Sequence, residues 1–290
     1  MNTCVVVCSN SALDYIKHDF DIRIFRSVVL FGDNEVYDDY TEIKAEDFYN
    51  RLLNDKSAFP KTAYVSPGKI EEMFLEMKND GYDSAFVITI SEELSGLGKT
   101  VRLIAENISD FNVTVYNSKT IAYPEALMAL TAARMFKNGS NLDSVIEALD
   151  FIRENNHLMF SVETLEYLIK NGRLSKLAGG VANLLSIKPL LDLDKDGKVR
   201  TLEKIRTSKK SRERLVEMFL EEVDGKDIIP CIIHANANTE VIEELKNKVL
   251  LSRPDLTDIA ICPLTPVVGA HAGPKTVCLG YILKSKNIIF

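Results

Sequence analysis

AFVITISEELSG, residues 85–96, runs an apolar, β-branched stretch into a short polar one that ends on Ser95-Gly96, after which an amphipathic pattern begins. A nearly continuous apolar run of this length reads as a buried parallel strand. The amphipathic pattern predicts a helix over 95–107. In a parallel sheet, the step from strand end to helix start is where ligands bind. Backbone N–H groups are free there and the helix dipole favours an anion. The hydroxyls of Ser91 and Ser95 add neutral donors. Ser91 also fits a plain helix cap, and the spacing alone leaves both readings open.

Working outward, CVVVCS (4–9), SVVLF (27–31) and VTVYN (113–117) read as further strands of the same kind. Helical patterns over 43–55, 68–79 and 121–138 separate them, so the first half predicts an α/β sheet with helices on both faces. After a helix over 142–154 the pattern changes. HLMFSV (157–162), LLDLD (190–194), KVRTLEKI (198–205), IIPCIIH (228–234), DIAICPL (258–264) and KTVCLGYI (275–282) read as strands, with helices over 209–222 and 239–250. The expectation is an α/β protein of two domains, 1–155 and 156–290. The first is a three-layer α/β/α domain on a parallel sheet, the second a two-layer α/β domain on a mixed sheet.

Composition narrows the function classes. Of 290 residues, 46% are hydrophobic and 27% charged, with a formal net charge of −7. That composition is globular. The charge argues against nucleic acid or an anionic membrane as main partner, since both reward clustered cations, although 198–214 forms a local basic patch. No run approaches 18 apolar residues, so stable membrane insertion is not expected. MNTCVVVCSN lacks the basic start of a secretory leader. Cys4, Cys8, Cys231, Cys262 and Cys278 stand mostly in strand-like runs, which predicts reduced, buried thiols and a cytoplasmic location. No cysteine or histidine pair has zinc spacing, so neither a metal nor a cofactor is expected.

Other stretches could carry chemistry. VVGAHAGPK (267–275) sets His271 among small residues, with Gly269 and Gly273 on either side, as if something must approach the backbone closely. In KTAYVSP (61–67), Ser66 and Pro67 fit a helix cap and first turn, while Thr62 falls in a loop. KNGRLSKLAGG (170–180) punctuates a glycine-rich turn with Lys170, Arg173 and Lys176. Arg173 there suits a carboxylate or phosphate, or is a solvated residue beyond a helix end. DLDKDGKVRTLE (192–203) fits the spacing of a calcium loop, but Pro189 precedes it and a strand-period run comes after it. Asp196-Gly197 marks a hairpin instead. Ser95 and His271 could serve a hydrolase, yet there is no G-x-S-x-G elbow.

Taken in order along the chain, these motifs resemble the DegV family of fatty-acid-binding proteins. SEELSG is similar to the family's S-x-x-L-S-G, KNGRLS to its K-G-G-R-I/L-S, and GAHAGP (269–274) to its G-T-H-T-G-P. IKPLL, DGKV and EKIRT resemble the stretch between. The resemblance implies a carrier rather than an enzyme, with one long-chain fatty acid in a tunnel between two domains. It also implies a separate fatty acid kinase catalytic subunit that phosphorylates the bound carboxylate. Thr62, Ser95, Gly96, His271 and Gly273 would hold the ligand, and Arg173 and Arg206 would lie near the mouth. The alternatives are a Ser/His-dependent lipid hydrolase or acyltransferase, and a lipid-sensing regulator. The chain departs from the family pattern at Cys8-Ser9-Asn10, at Ala63, Tyr64 and Val65, at Leu97, and at Tyr123, Pro124 and Ala126.

Overall fold

The structure is a computed structural model that describes residues 2–55, 57, 59–174, 187–236 and 238–285. In chain order the first half contains β1 (Thr3–Cys8), β2 (Ile22–Phe25), β3 (Val28–Phe31), β4 (Glu35–Asp38), α1 (Ala45–Asn54), β5 (Lys61–Ala63) and α2 (Pro67–Asn79). It continues with β6 (Ser84–Thr89), α3 (Leu97–Ala105), β7 (Asn112–Asn117), α4 (Ala122–Lys137) and α5 (Leu142–Glu154). The second half contains β8 (Asn156–Ser161), α6 (Glu166–Lys170), β9 (Leu190–Leu193), β10 (Val199–Glu203), α7 (Ser208–Glu222), β11 (Ile228–His234), α8 (Thr239–Ser252), β12 (Ala260–Pro263), α9 (Pro266–Ala272) and β13 (Val277–Leu283).

The first sheet is parallel, ordered β2-β1-β6-β7. Its strands bury side chains on both faces. Val6, Val87 and Ala85 pack with Phe74 of α2 and Val101 of α3. Val5, Val7, Phe86 and Ile88 pack with Met128 of α4 and Leu149 of α5. This is the expected α/β/α arrangement. One assignment is corrected. SVVLF does not join the parallel sheet: β3 lies in a small antiparallel sheet, β4-β3-β5. The fourth parallel strand is IRIF, which is only four residues long and carries a charged residue, Arg23, within it, as an edge strand can.

The second sheet is mixed, ordered β10-β9-β8-β13-β11-β12, with only β11 and β12 parallel. Side-chain alternation divides its faces. Met159, Leu190, Ile232 and Leu279 pack under Phe219 of α7 and Leu245 of α8. Leu158, Phe160, Leu191 and Ile233 point the other way, towards α1, α6 and α9. Residues of β3 and α1, among them Phe31, Phe48 and Tyr49, belong to this second core although they come from the first half of the chain. The hairpin at 192–203 is borne out, with Leu193 opposite Val199. No helix among the described residues is long and apolar enough to cross a membrane.

Candidate functional site

β1 leads to β2 on one side and pairs with β6 on the other. The carboxyl ends of β1 and β6 therefore form a topological switch point, where open α/β sheets leave a crevice. A cavity of about 470 Å³ opens there. Asn10 follows β1 and Ile90 follows β6; both line it, with Ser95, Gly96 and Leu97 at the start of α3. Opposite, the inner face of the second sheet supplies Leu158, Phe160, Leu193, Val199, Ile233 and Cys278. Its volume lies in the range of small-molecule sites.

The polar groups converge. Thr62, expected in a loop, is the middle residue of β5 and pairs with Val29. Three residues are too few for a strand pattern to show in the sequence. Its Oγ1 lies 2.9 Å from His271 Nε2, across 209 residues of chain. His271 sits near the end of α9, a helix the sequence reading did not assign. Asn171 fastens the two elements: its side-chain amide donates to the carbonyl of Ala270 at 2.8 Å and to that of Pro60 at 3.3 Å. Ser95 Oγ accepts from the N–H of Leu97 at 3.3 Å, which leaves the hydroxyl proton free to donate.

Electrostatics set the states of these groups. Burial, helped by the positive charge of Arg173, pushes the His271 pKa down to about 3. The imidazole is neutral across the physiological range. Its Nδ1 is buried without a hydrogen-bond partner among the described residues. Arg173 lines the same cavity. Its Nε donates to the carbonyl of Leu94 at 3.2 Å and its Nη1 to that of Asn171 at 2.6 Å. No carboxylate pairs with it among the described residues, and burial lowers its pKa. A half-buried cation that lacks a counter-ion favours an anion beside it.

The small residues around His271 have a different cause from the one expected. A Cβ on Gly269 would strike the hydroxyl of Tyr49, which donates to the carbonyl of Leu264 at 2.9 Å. Gly273 has φ +80°, and a Cβ there would stand 2.6 Å from the Tyr167 ring. It does not line the cavity. Both glycines let α9 pack closely on its neighbours. Gly96 is the contrasting case. Its φ of −77° suits any residue, and a Cβ would meet only Tyr64 at 3.8 Å. Neither conformation nor packing requires glycine there, and the space beside it belongs to the cavity.

Arg206 is exposed in the bend before α7 and is not part of the cavity wall. Lys176 lies outside the described residues. Ser91 is buried, and its hydroxyl accepts from the N–H of Glu93 at 3.2 Å; it shapes the turn after β6 and does not line the cavity. Ser66 caps α2 as expected. Sequence reasoning missed Asn10 with its partner Glu125. The Asn10 amide donates to Glu125 Oε2. Glu125 is fully buried, and burial raises its pKa well above the usual carboxylate range. The departures from the family pattern at Asn10, Ala63, Tyr64 and Leu97 all fall on the cavity wall.

The family model described as "Uncharacterised protein, DegV family" matches residues 4–284. A DegV domain-containing protein of Clostridium perfringens is 33% identical over 265 residues, covering 91% of this chain and 92% of that protein. The crystal structure of DegV, a fatty acid binding protein from Bacillus subtilis, superposes with a TM-score of 0.86 at 25% identity, covering 98% of this chain and 100% of that one. A Thermotoga maritima protein whose structure reveals fatty acid binding function gives a TM-score of 0.81 at 26% identity, with 98% and 100% covered. Matched along nearly its whole length, this chain belongs to the DegV family.

Proposed function

We propose that the protein binds one long-chain fatty acid, with the carboxylate between Thr62, Ser95, His271 and Arg173 and the tail along the second sheet. The observation that carries this reading is the Thr62–His271 pair beside Arg173, which has no carboxylate partner among the described residues, at the edge of an apolar cavity. The neutral imidazole has one proton to place. With that proton on Nε2, the ring donates to Thr62 Oγ1, and the Thr62 hydroxyl proton is turned towards the ligand. Such a relay polarises the hydroxyl and strengthens its bond to an anion. Ser95 supplies a second hydroxyl, and Arg173 balances the charge. Relatives of the same fold that bind fatty acids support this reading.

The tail supplies most of the affinity. Each buried methylene contributes about 0.8 kcal/mol, so a chain of some fifteen yields roughly 12 kcal/mol before ordering costs. The test is a calorimetric titration with a saturated fatty acid and its methyl ester. The acid is expected to bind at least about ten-fold more tightly, because the ester loses a charge-assisted hydrogen bond. Equal binding would remove the carboxylate from the account.

On the same reading the protein acts as a carrier for a separate kinase. The bound carboxylate oxygen attacks the γ-phosphorus of ATP, the bond to ADP breaks, and an acyl phosphate forms. Arg173, beside the carboxylate, would face the negative charge of the phosphoryl group as it is transferred. Mixing the loaded protein with ATP and a candidate kinase subunit, then trapping the product with hydroxylamine, tests this step. A hydroxamate that requires both proteins supports it, and ADP release without hydroxamate contradicts it.

A further inference from the structure

A second crevice, of about 340 Å³, lies behind the lipid cavity. Among the described residues their walls share only Leu158 and Leu193. Most of the rest of its wall is charged, with Thr120, Asn156 and Tyr281 between. Lys119, Arg153, Lys195, Arg200 and Lys226 line it, against the carboxylates of Glu154, Asp194 and Glu222.

Those carboxylates are already engaged. Glu154 pairs with Arg153 at 3.3 Å, and Glu222 with His157 Nδ1 at 2.7 Å. Asp194 Oδ1 accepts the turn N–H groups of Asp196 and Lys198, each at 3.0 Å. Asp192, buried beneath, takes His157 Nε2 at 3.1 Å and the Arg200 fork. That leaves the lysines under-compensated. Among the described residues Lys119 pairs only with the exposed Asp196, at 3.5 Å. Among the described residues, Lys195 has no ion pair, and Lys226 only lies over the Tyr281 ring, 5.6 Å from its centroid. In a chain of net charge −7 this is a local concentration of positive charge inside a concave wall.

We propose that this crevice is a second ligand site, for a small phosphate-bearing anion held by Lys119, Lys195 and Lys226. A tetrahedral dianion can accept from several ammonium groups at once, and lysine binds phosphate as a point charge where a planar fork is not free. The Arg200 fork is committed to Asp192. The volume is ample for inorganic phosphate and also fits a short phosphate monoester, but not a nucleic-acid strand.

The test is calorimetric titration of the whole protein with inorganic phosphate and, separately, with ethyl phosphate. Saturable binding is expected to weaken about a hundred-fold in Lys195→Ala/Lys226→Ala, roughly ten-fold for each charge-assisted bond lost. Fatty-acid binding and the thermal midpoint of that variant should match the wild type, since both lysines are exposed. Tighter binding of ethyl phosphate would identify a monoester as the ligand class, and equal binding would identify the phosphate group alone. The proposal is overturned if neither probe binds saturably to the wild type. It is also overturned if the double variant binds as well as the wild type, or if affinity instead follows Arg173→Ala, which would put the anion in the lipid cavity.

Discussion

Replacing Thr62 by valine removes one hydroxyl and keeps the shape of the side chain. The 2.9 Å contact with His271 gives this change two effects. Without ligand, Nε2 loses its partner and joins the already unpartnered Nδ1. Leaving a buried polar atom unsatisfied costs about 1–3 kcal/mol, so the melting temperature of the free protein should fall. With ligand, the carboxylate loses a donor. A hydrogen bond to a charged group is worth about 1.5–3 kcal/mol, which corresponds to roughly 10- to 150-fold in affinity. Displacement of a fluorescent fatty acid measures this directly. Thr62→Ser should recover most of the affinity, because it restores the hydroxyl. The methyl ester should discriminate poorly between wild type and Thr62→Val, since it presents no anion. If Thr62→Val lowers the melting temperature but leaves fatty-acid affinity unchanged, the Thr62–His271 pair is a structural fastening and the relay is refuted.

Two further outcomes depend on pH. Glu125 is a buried acid with a raised pKa, so the folded state holds its proton more tightly than the unfolded chain, and stability is lost as pH rises above about 4.5. Glu125→Gln has no proton to lose, so its melting temperature should gain on the wild type from pH 4.5 to 8; a constant difference would show that Glu125 is ionised when folded. His157 is held charged: burial opposes this, but Asp192 and Glu222 outweigh it and raise the pKa to about 9. Its contribution is fully present below about pH 6.5 and is lost as pH rises through about 9, a fall on the order of 3 kcal/mol that His157→Gln should abolish in denaturant titrations.

Much of the architecture was legible because burial writes itself into composition. Strands β1 and β6 are covered on both faces and read as apolar runs, and the hairpin at 192–203 announced itself through Asp196-Gly197. The short strands β4 and β5 left no such mark. Four and three residues cannot establish a period, and β4 is partly exposed. The inner wall of the second sheet could have been found, since Leu158 and Phe160 stand two apart with Met159 facing the opposite core. At the site, residue types were legible and their partners were not. Nothing local joins Thr62 to His271, or Asn10 to Glu125 across 115 residues. The glycines beside His271 misled for a physical reason. Close packing on Tyr49 and Tyr167 demands the same absence of a side chain as close approach by a ligand.

The central claim is that the cavity holds a fatty acid. Native mass spectrometry of the purified protein, followed by denaturation and identification of the released molecules, tests it most directly. The account predicts one fatty acid per chain, with a mass difference between native and denatured protein that matches it, and uptake of added fatty acid after delipidation. A protein that is empty as purified and refuses saturated and unsaturated fatty acids alike would contradict the account. The wall residues that depart from the family pattern, Asn10, Tyr64 and Leu97, would then be where the cavity had been turned to another ligand.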